Sequence, residues 1–141
     1  MAALVLDASV AFSWCFPGDP TEDTPYSRRV LSELAVRDAL VPEIWAFEIA
    51  NSIFVSCNKR KRISVAQVQE YLDRLMALPI KVEPRGLWAN VGLEARARQW
   101  NLAAYDAAYL DLALRNHLPL ATADDDLKKA ALSEGVEVLA L

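Results

Sequence analysis

The chain has 141 residues, a length that suits one domain with a real hydrophobic core, and we expect a single domain over 1–141. Hydrophobic residues make up 54% and charged residues 24%, with no low-complexity run, repeat or long polar linker, which argues against a disordered tail. A net charge of −4 argues against a nucleic-acid binder that works by bulk positive charge, and the lack of a bilayer-length apolar run or a signal-peptide pattern predicts a cytoplasmic protein that uses no membrane.

In chain order, Leu4–Leu6 predicts a short apolar strand, and "ASVAFSWCF" predicts an apolar helix up to Pro17. "PGDPTEDTP", with three prolines and several acids, reads as a loop. "YSRRVLSELAVR" places Val30, Leu31 and Leu34 at helical spacing, and Ala39–Val41 is a candidate second strand. Pro42 sits just before or inside the first turn of one long helix, "EIWAFEIANSIFVSCNKRKR", which ends in a basic run. Ser64 is the expected N-cap of a helix with Val65, Val68, Leu72, Leu75 and Met76 on one face, stopped by Pro79.

"IKVE" is a candidate strand, and "LWANVGLEARARQW" reads as one amphipathic helix. "AYDAAYLDLALRN" reads as another, with Ala107, Leu110 and Leu114 as its apolar stripe. "LPLATAD" is a strand that runs into acids, "DLKKAALSEG" is a helix that Gly135 ends, and "VEVLAL" is a final strand. Short, continuously apolar strands alternating with helices predict an α/β fold, a three-layer α/β/α sandwich around a four- or five-stranded parallel sheet. In such folds the site lies outside the carboxyl ends of the strands.

Cys15 and Cys57 lie in apolar sequence without metal-ligand spacing and read as buried thiols. The only histidine, His117, stands at an apparent helix end, where capping or chance explains it better than catalysis. Histidine-based triads and zinc sites are therefore not expected.

Four acids stand beside apolar sequence. Asp7 and Asp124 follow predicted strands, Asp106 starts an Ala/Leu-rich helix, and Glu48 lies inside "IWAFEIANSIF". Each is open to an ordinary reading. Asp7 and Asp106 suit helix caps, Asp124 to Asp126 suit a helix dipole, and Glu48 suits a solvent-facing position. Together these readings weaken, because Asp7 and Asp124 point to one edge of the sheet. Clustered carboxylates in a cleft either bind protons or are neutralised by cations, and these motifs hold no matching set of basic residues. Hard cations such as Mg²⁺ or Mn²⁺ bind such oxygens and suit phosphodiester hydrolysis.

At these residues the chain resembles PIN-domain ribonucleases, and most closely the toxins of the VapBC toxin–antitoxin systems. The matching pieces are "LVLDASV", "PEIWAFEIANSI", "AYDAAYLDLA" and "PLATADDDL", in order and spread over nearly the whole chain. The resemblance implies a metal-dependent endoribonuclease that is held inactive by a cognate antitoxin and commonly dimeric. Asp7, Glu48, Asp106 and Asp124 match the acidic quartet, which would bind Mg²⁺ or Mn²⁺ and position the attacking water. Ser9 and Thr122 match supporting polar positions. Asn51, one turn after Glu48, is expected to face the same side and orient that carboxylate, and Asp126 is a further metal candidate or only a helix-start charge. Asp111 falls off the face of Asp106 and reads as a surface residue.

The large apolar residues among Trp45, Phe47, Ile53, Phe54 and Val55 suit either a partner or dimer surface or an all-round buried helix. The basic run Lys59, Arg60, Lys61 and Arg62 suits either guidance of RNA phosphates or a solvated helix C-terminus. Rival functions are a housekeeping PIN nuclease without antitoxin, a phospho-acceptor receiver domain and a catalytically silent binding module. The receiver needs paired acids after the first strand and a late Lys, and "LDAS" with no such Lys supplies neither.

Overall fold

Leu4, Val5 and Leu6 have no solvent exposure, and they form β1 (Leu4–Leu6) in the interior of a parallel sheet. The computed structural model describes residues 2–141. The other strands are β2 (Ala39–Pro42), β3 (Ile80–Glu83) and β4 (Leu120–Ala121), and the order is β3-β2-β1-β4. Val5 pairs with Leu40 on one side and Leu120 on the other, so β1 is central and buried on both faces. Helices cover the sheet in the expected three-layer α/β arrangement. The expected strand "VEVLAL" is reduced to one bridge, Leu120 to Val138, and the sheet stops at four strands.

The helices are α1 (Ala8–Ser13), α2 (Pro25–Glu33), α3 (Ile44–Phe54), α4 (Val65–Met76), α5 (Leu87–Val91), α6 (Leu93–Trp100), α7 (Ala104–Asn116) and α8 (Asp125–Ser133). Among them, none is long and apolar enough to cross a membrane. Ser64 caps α4 through a reciprocal capping box with Gln67, an arrangement worth about 1 kcal/mol. The apolar face of α4 is rotated from the expected one. Tyr71 and Leu75 are buried, whereas Val65 and Met76, at the two ends of the helix, are exposed. His117 ends α7 in the left-handed conformation, and Gly135, also left-handed, follows α8.

Two helices depart from the sequence expectation. The long helix through the basic run stops early. After α3 the backbone widens into a π turn over Val55–Lys59, where the Arg60 N–H bonds back to the Val55 carbonyl, and Lys61 is left-handed. The stretch "LWANVGLEARARQW" breaks at Gly92 into α5 and α6. The Glu43 side chain caps α5 from outside, accepting hydrogen bonds from the N–H groups of Arg85 and Gly86 and from Asn90 Nδ2.

α7 is buried all round from Ala107 to Ala113 rather than along one stripe, because it packs on β1 and β2 and is flanked by α6 and α8. That placement overturns the surface reading of Asp111, which is 5% exposed. Its carboxylate meets Arg85 Nη1 at 2.7 Å, Arg115 Nε at 2.7 Å and Arg96 Nε at 3.4 Å. Arg115 also reaches Glu83 at 2.7 Å, so one network joins β3, α6 and α7. Asp111→Asn is expected to cost about 2–3 kcal/mol in chemical denaturation. That is below the range for a fully buried pair, because the arginines keep water contact.

Candidate functional site

The site grows from the ends of β1 and β4, which are neighbours in the sheet. β1 ends at Leu6, so Asp7 stands where the chain turns into α1. It caps α1, with Oδ1 accepting from the Ser9 N–H at 3.3 Å, and it is 5% exposed. Its other oxygen, Oδ2, accepts from the Thr122 hydroxyl at 2.7 Å. Thr122 follows β4 and is fully buried, and its Oγ1 accepts from the Asp124 N–H at 3.0 Å. Asp124 caps α8, accepting from the Leu127 N–H at 2.8 Å. Asp7 is thus a cap, as the ordinary reading had it, Asp124 is a cap where that reading had only a helix-dipole charge, and one threonine also ties them to the same edge.

Glu48 comes from α3 and is half-buried; Oε1 accepts from the Tyr109 hydroxyl at 2.6 Å. Asp106 lies in the first turn of α7 and is not its cap, since Ala103 holds that position. No protein donor engages the Asp106 carboxylate among the described residues.

Burial is the main force on these acids. It pushes Asp7, Glu48 and Asp106 above their ordinary carboxylate range, and the neighbouring carboxylates add to it. Asp7 lies in the field of Asp124, and Glu48 in the fields of Asp7 and Asp106. Asp106 lies in the fields of Asp124, Asp7 and Asp126. Among the described residues no Lys or Arg pairs with any of the four, because the arginine cluster is engaged at Asp111 and Glu83. As the side chains stand, no three acids enclose a position for an ion among the described residues. Mutual repulsion nonetheless links them as neighbours: Asp7 with Asp124, Glu48 with Asp7 and Asp106, and Asp106 with Asp7 and Asp124.

The supporting residues divide. Thr122 bonds to Asp7 through its hydroxyl, and Ser9 through its backbone N–H. Asn51 is exposed and shares with Glu48 a shallow groove of about 350 Å³, also lined by Phe47 and Tyr105, but it does not hold Glu48. Tyr109 does. Asp126 is exposed on α8, within the field of Asp106. The basic run begins at the end of the π turn, with Lys59 eleven residues beyond Glu48 in the chain. Arg62 lies over the Phe16 ring at 4.1 Å and pairs with Asp19 at 3.4 Å and Glu22 at 3.7 Å.

Sequence reasoning missed two tyrosines. Tyr109 sits three residues after Asp106 on the same helix face, a spacing that was available as a signal. The Tyr26 hydroxyl accepts from the Thr122 N–H at 3.1 Å, and burial together with the field of Asp7 raises its phenol pKa. Nothing in the sequence marks Tyr26, since only the packing of α2 brings it to the end of β4.

The PIN domain family model matches residues 4–132. Among solved structures, the chain is similar to PAE2754 from Pyrobaculum aerophilum, with a TM-score of 0.64 and 20% identity over 92% of this chain and 87% of that one. It is also similar to FitAcB from Neisseria gonorrhoeae, with a TM-score of 0.62 and 19% identity over 99% of this chain and 97% of that one. At these identities the likeness is one of fold. No curated protein matches the sequence.

A carboxylate that burial holds above its ordinary range destabilises the fold when it is charged. In chelator at neutral pH, Asp7→Asn is expected to melt above the wild type, by about 2–4 °C for each kcal/mol relieved. The penalty is present above the raised pKa and disappears as Asp7 takes up its proton. The gap between the two melting curves should therefore close as the pH is lowered, which differential scanning fluorimetry across pH would check.

Proposed function

The chain belongs to the PIN-domain family, whose members are generally nucleases, and on that footing we propose that it is an Mg²⁺- or Mn²⁺-dependent endoribonuclease. The observation that carries this reading is the convergence of four carboxylates from four segments at one end of the sheet, three of them raised by burial and none paired with a cation. The donor set is all hard oxygen, with no histidine or cysteine, which fits Mg²⁺ or Mn²⁺ rather than zinc or copper. Asp7, Glu48, Asp106 and Asp124 would hold the ion, and Asp126 stands at the margin. When bound, the ion supplies positive charge to the phosphate oxygens and acidifies a water.

The chain's own residues do the rest. Thr122 fixes Asp7 and the backbone entry to Asp124, and the Ser9 N–H fixes the second oxygen of Asp7. Asp106, which no protein donor engages among the described residues, keeps both carboxylate oxygens available to the ion and to the attacking water. In the hydrolysis the water oxygen bonds to phosphorus, one bridging P–O bond breaks, and the leaving oxygen gains a proton.

We extend the reading to a single PIN domain over residues 1–141 that acts as the toxin of a toxin–antitoxin pair, inhibited by its antitoxin and working as a homodimer. The sequence resemblance supports it. So do the apolar residues left on the surface: Phe47 at 73% and Trp88 at 77% exposure, with Leu87 and Val91 beside Trp88 on α5.

Purified protein incubated with total RNA is expected to cleave it in Mg²⁺ or Mn²⁺ and not in EDTA. Asp7→Asn should be slower by about 100-fold or more. Equal cleavage by wild type and variant would overturn the reading. Neutralising Lys59, Arg60 and Lys61, while leaving the engaged Arg62 intact, is expected to weaken RNA binding. It should also flatten the salt dependence by about 0.7 in log–log slope for each phosphate that is no longer neutralised.

A further inference from the structure

Tyr109 has no solvent exposure, yet its hydroxyl lies at the meeting point of three segments that carry the acids. The residue is on α7, three positions after Asp106. Its Oη donates to Glu48 Oε1 on α3 at 2.6 Å and accepts from the N–H of Ala8, the residue next to Asp7, at 3.3 Å. The Ala8 N–H fills the acceptor side of the phenol oxygen. The single phenol proton is thereby directed at Glu48. Thr122 does the same on the other side of the site, donating to Asp7 and accepting from the Asp124 N–H.

A neutral donor is what such a site requires. A lysine or arginine at this position would fix Glu48 equally well, but its charge would stand where a metal cation is needed. A phenol fixes the carboxylate and leaves its negative charge unspent. Its rigid ring, held by α7, also transmits the position of the helix to Glu48 with few rotatable bonds.

We propose that Tyr109 is a positioning residue for the metal centre. It holds Glu48 Oε1 inward, so that Glu48 offers a divalent cation one oxygen, Oε2, at a place set relative to Asp7 and Asp106. The proposal rests on the metal-dependent reading given above. The competing account is that a buried tyrosine merely needs a partner for its hydroxyl. Tyr71 is a built-in example of that case: it is 2% exposed, and its hydroxyl donates to the Ala11 carbonyl at 2.7 Å.

The test compares Tyr109→Phe with Tyr71→Phe in the full chain. Both lose a buried phenol oxygen and keep the ring. Mn²⁺ binding is measured by titration calorimetry, well below both melting temperatures, and RNA cleavage is followed as a function of Mn²⁺ concentration. Tyr109→Phe is expected to bind Mn²⁺ 10- to 100-fold more weakly, with the metal requirement for cleavage raised in parallel. Tyr71→Phe should lower the melting temperature and leave Mn²⁺ affinity unchanged. In a Glu48→Gln background, Tyr109→Phe should weaken Mn²⁺ binding far less than in the wild type. If the wild type binds Mn²⁺ and Tyr109→Phe binds it equally well, the positioning role falls and the nuclease reading stands. If the wild type binds no Mn²⁺, both fall together.

Discussion

A strand with no solvent contact on either face ends in a carboxylate, and much of the structure answers that one placement. Asp7 cannot be moved outward, because Leu4, Val5 and Leu6 fix its position from inside the sheet. It cannot be neutralised by a neighbouring cation, because none pairs with it among the described residues. Its charge is therefore carried by neutral donors, the Thr122 hydroxyl and the Ser9 N–H. These donors lower its proton affinity but do not outweigh burial, and Asp7 remains raised. Glu48 is handled alike, by a phenol. The site is held in shape by dipoles and left electrostatically incomplete.

α7 shows how deliberate that incompleteness is, because it carries both outcomes five residues apart. Asp111 is met by three guanidinium groups and is a structural anchor. Asp106, one and a half turns earlier, has no protein partner among the described residues and lies in the fields of three other carboxylates. Asp111 is the more buried of the two, yet it is the one whose charge is met. The separation comes from Arg85 and Arg96, which approach α7 at Asp111, and from Arg115 of α7 itself. The arginines that would silence the site are committed elsewhere, and in that position they brace β3 and α6 against the central helix.

What the sequence made legible was local. β1, β2 and β3 could be read from their apolar runs, Ser64 from its cap chemistry, and Gly135 from its place after a helix. The four acids could be read because each interrupts or abuts apolar sequence. What failed was non-local. Asp111 looks like a surface residue until arginines from two other segments are brought to it. Tyr26 reaches Thr122 across 96 residues, and Tyr109 reaches Glu48 across 61. Spacing along one helix points to Asn51 as the partner of Glu48, and the hydrogen bond comes instead from Tyr109 on another helix. Val65 and Met76 fit a helical stripe but lie at the ends of α4 and are exposed.

The double duty of Asp7 and Asp124 bears on how a chain like this can change over generations. Each starts a helix, accepting from the Ser9 or Leu127 N–H, as well as facing the acid cluster. A lineage that abandoned the chemistry would still feel selection at these two positions from folding alone, and Asn or Ser there would preserve the cap. Asp106 has no such second employment. On the metal-dependent reading proposed above, drift should therefore erase it first, and a descendant that keeps aspartate at 7 and 124 but loses it at 106 would be a folded relic. Of the four acids, Asp106 is thus the one whose retention the fold itself does not explain.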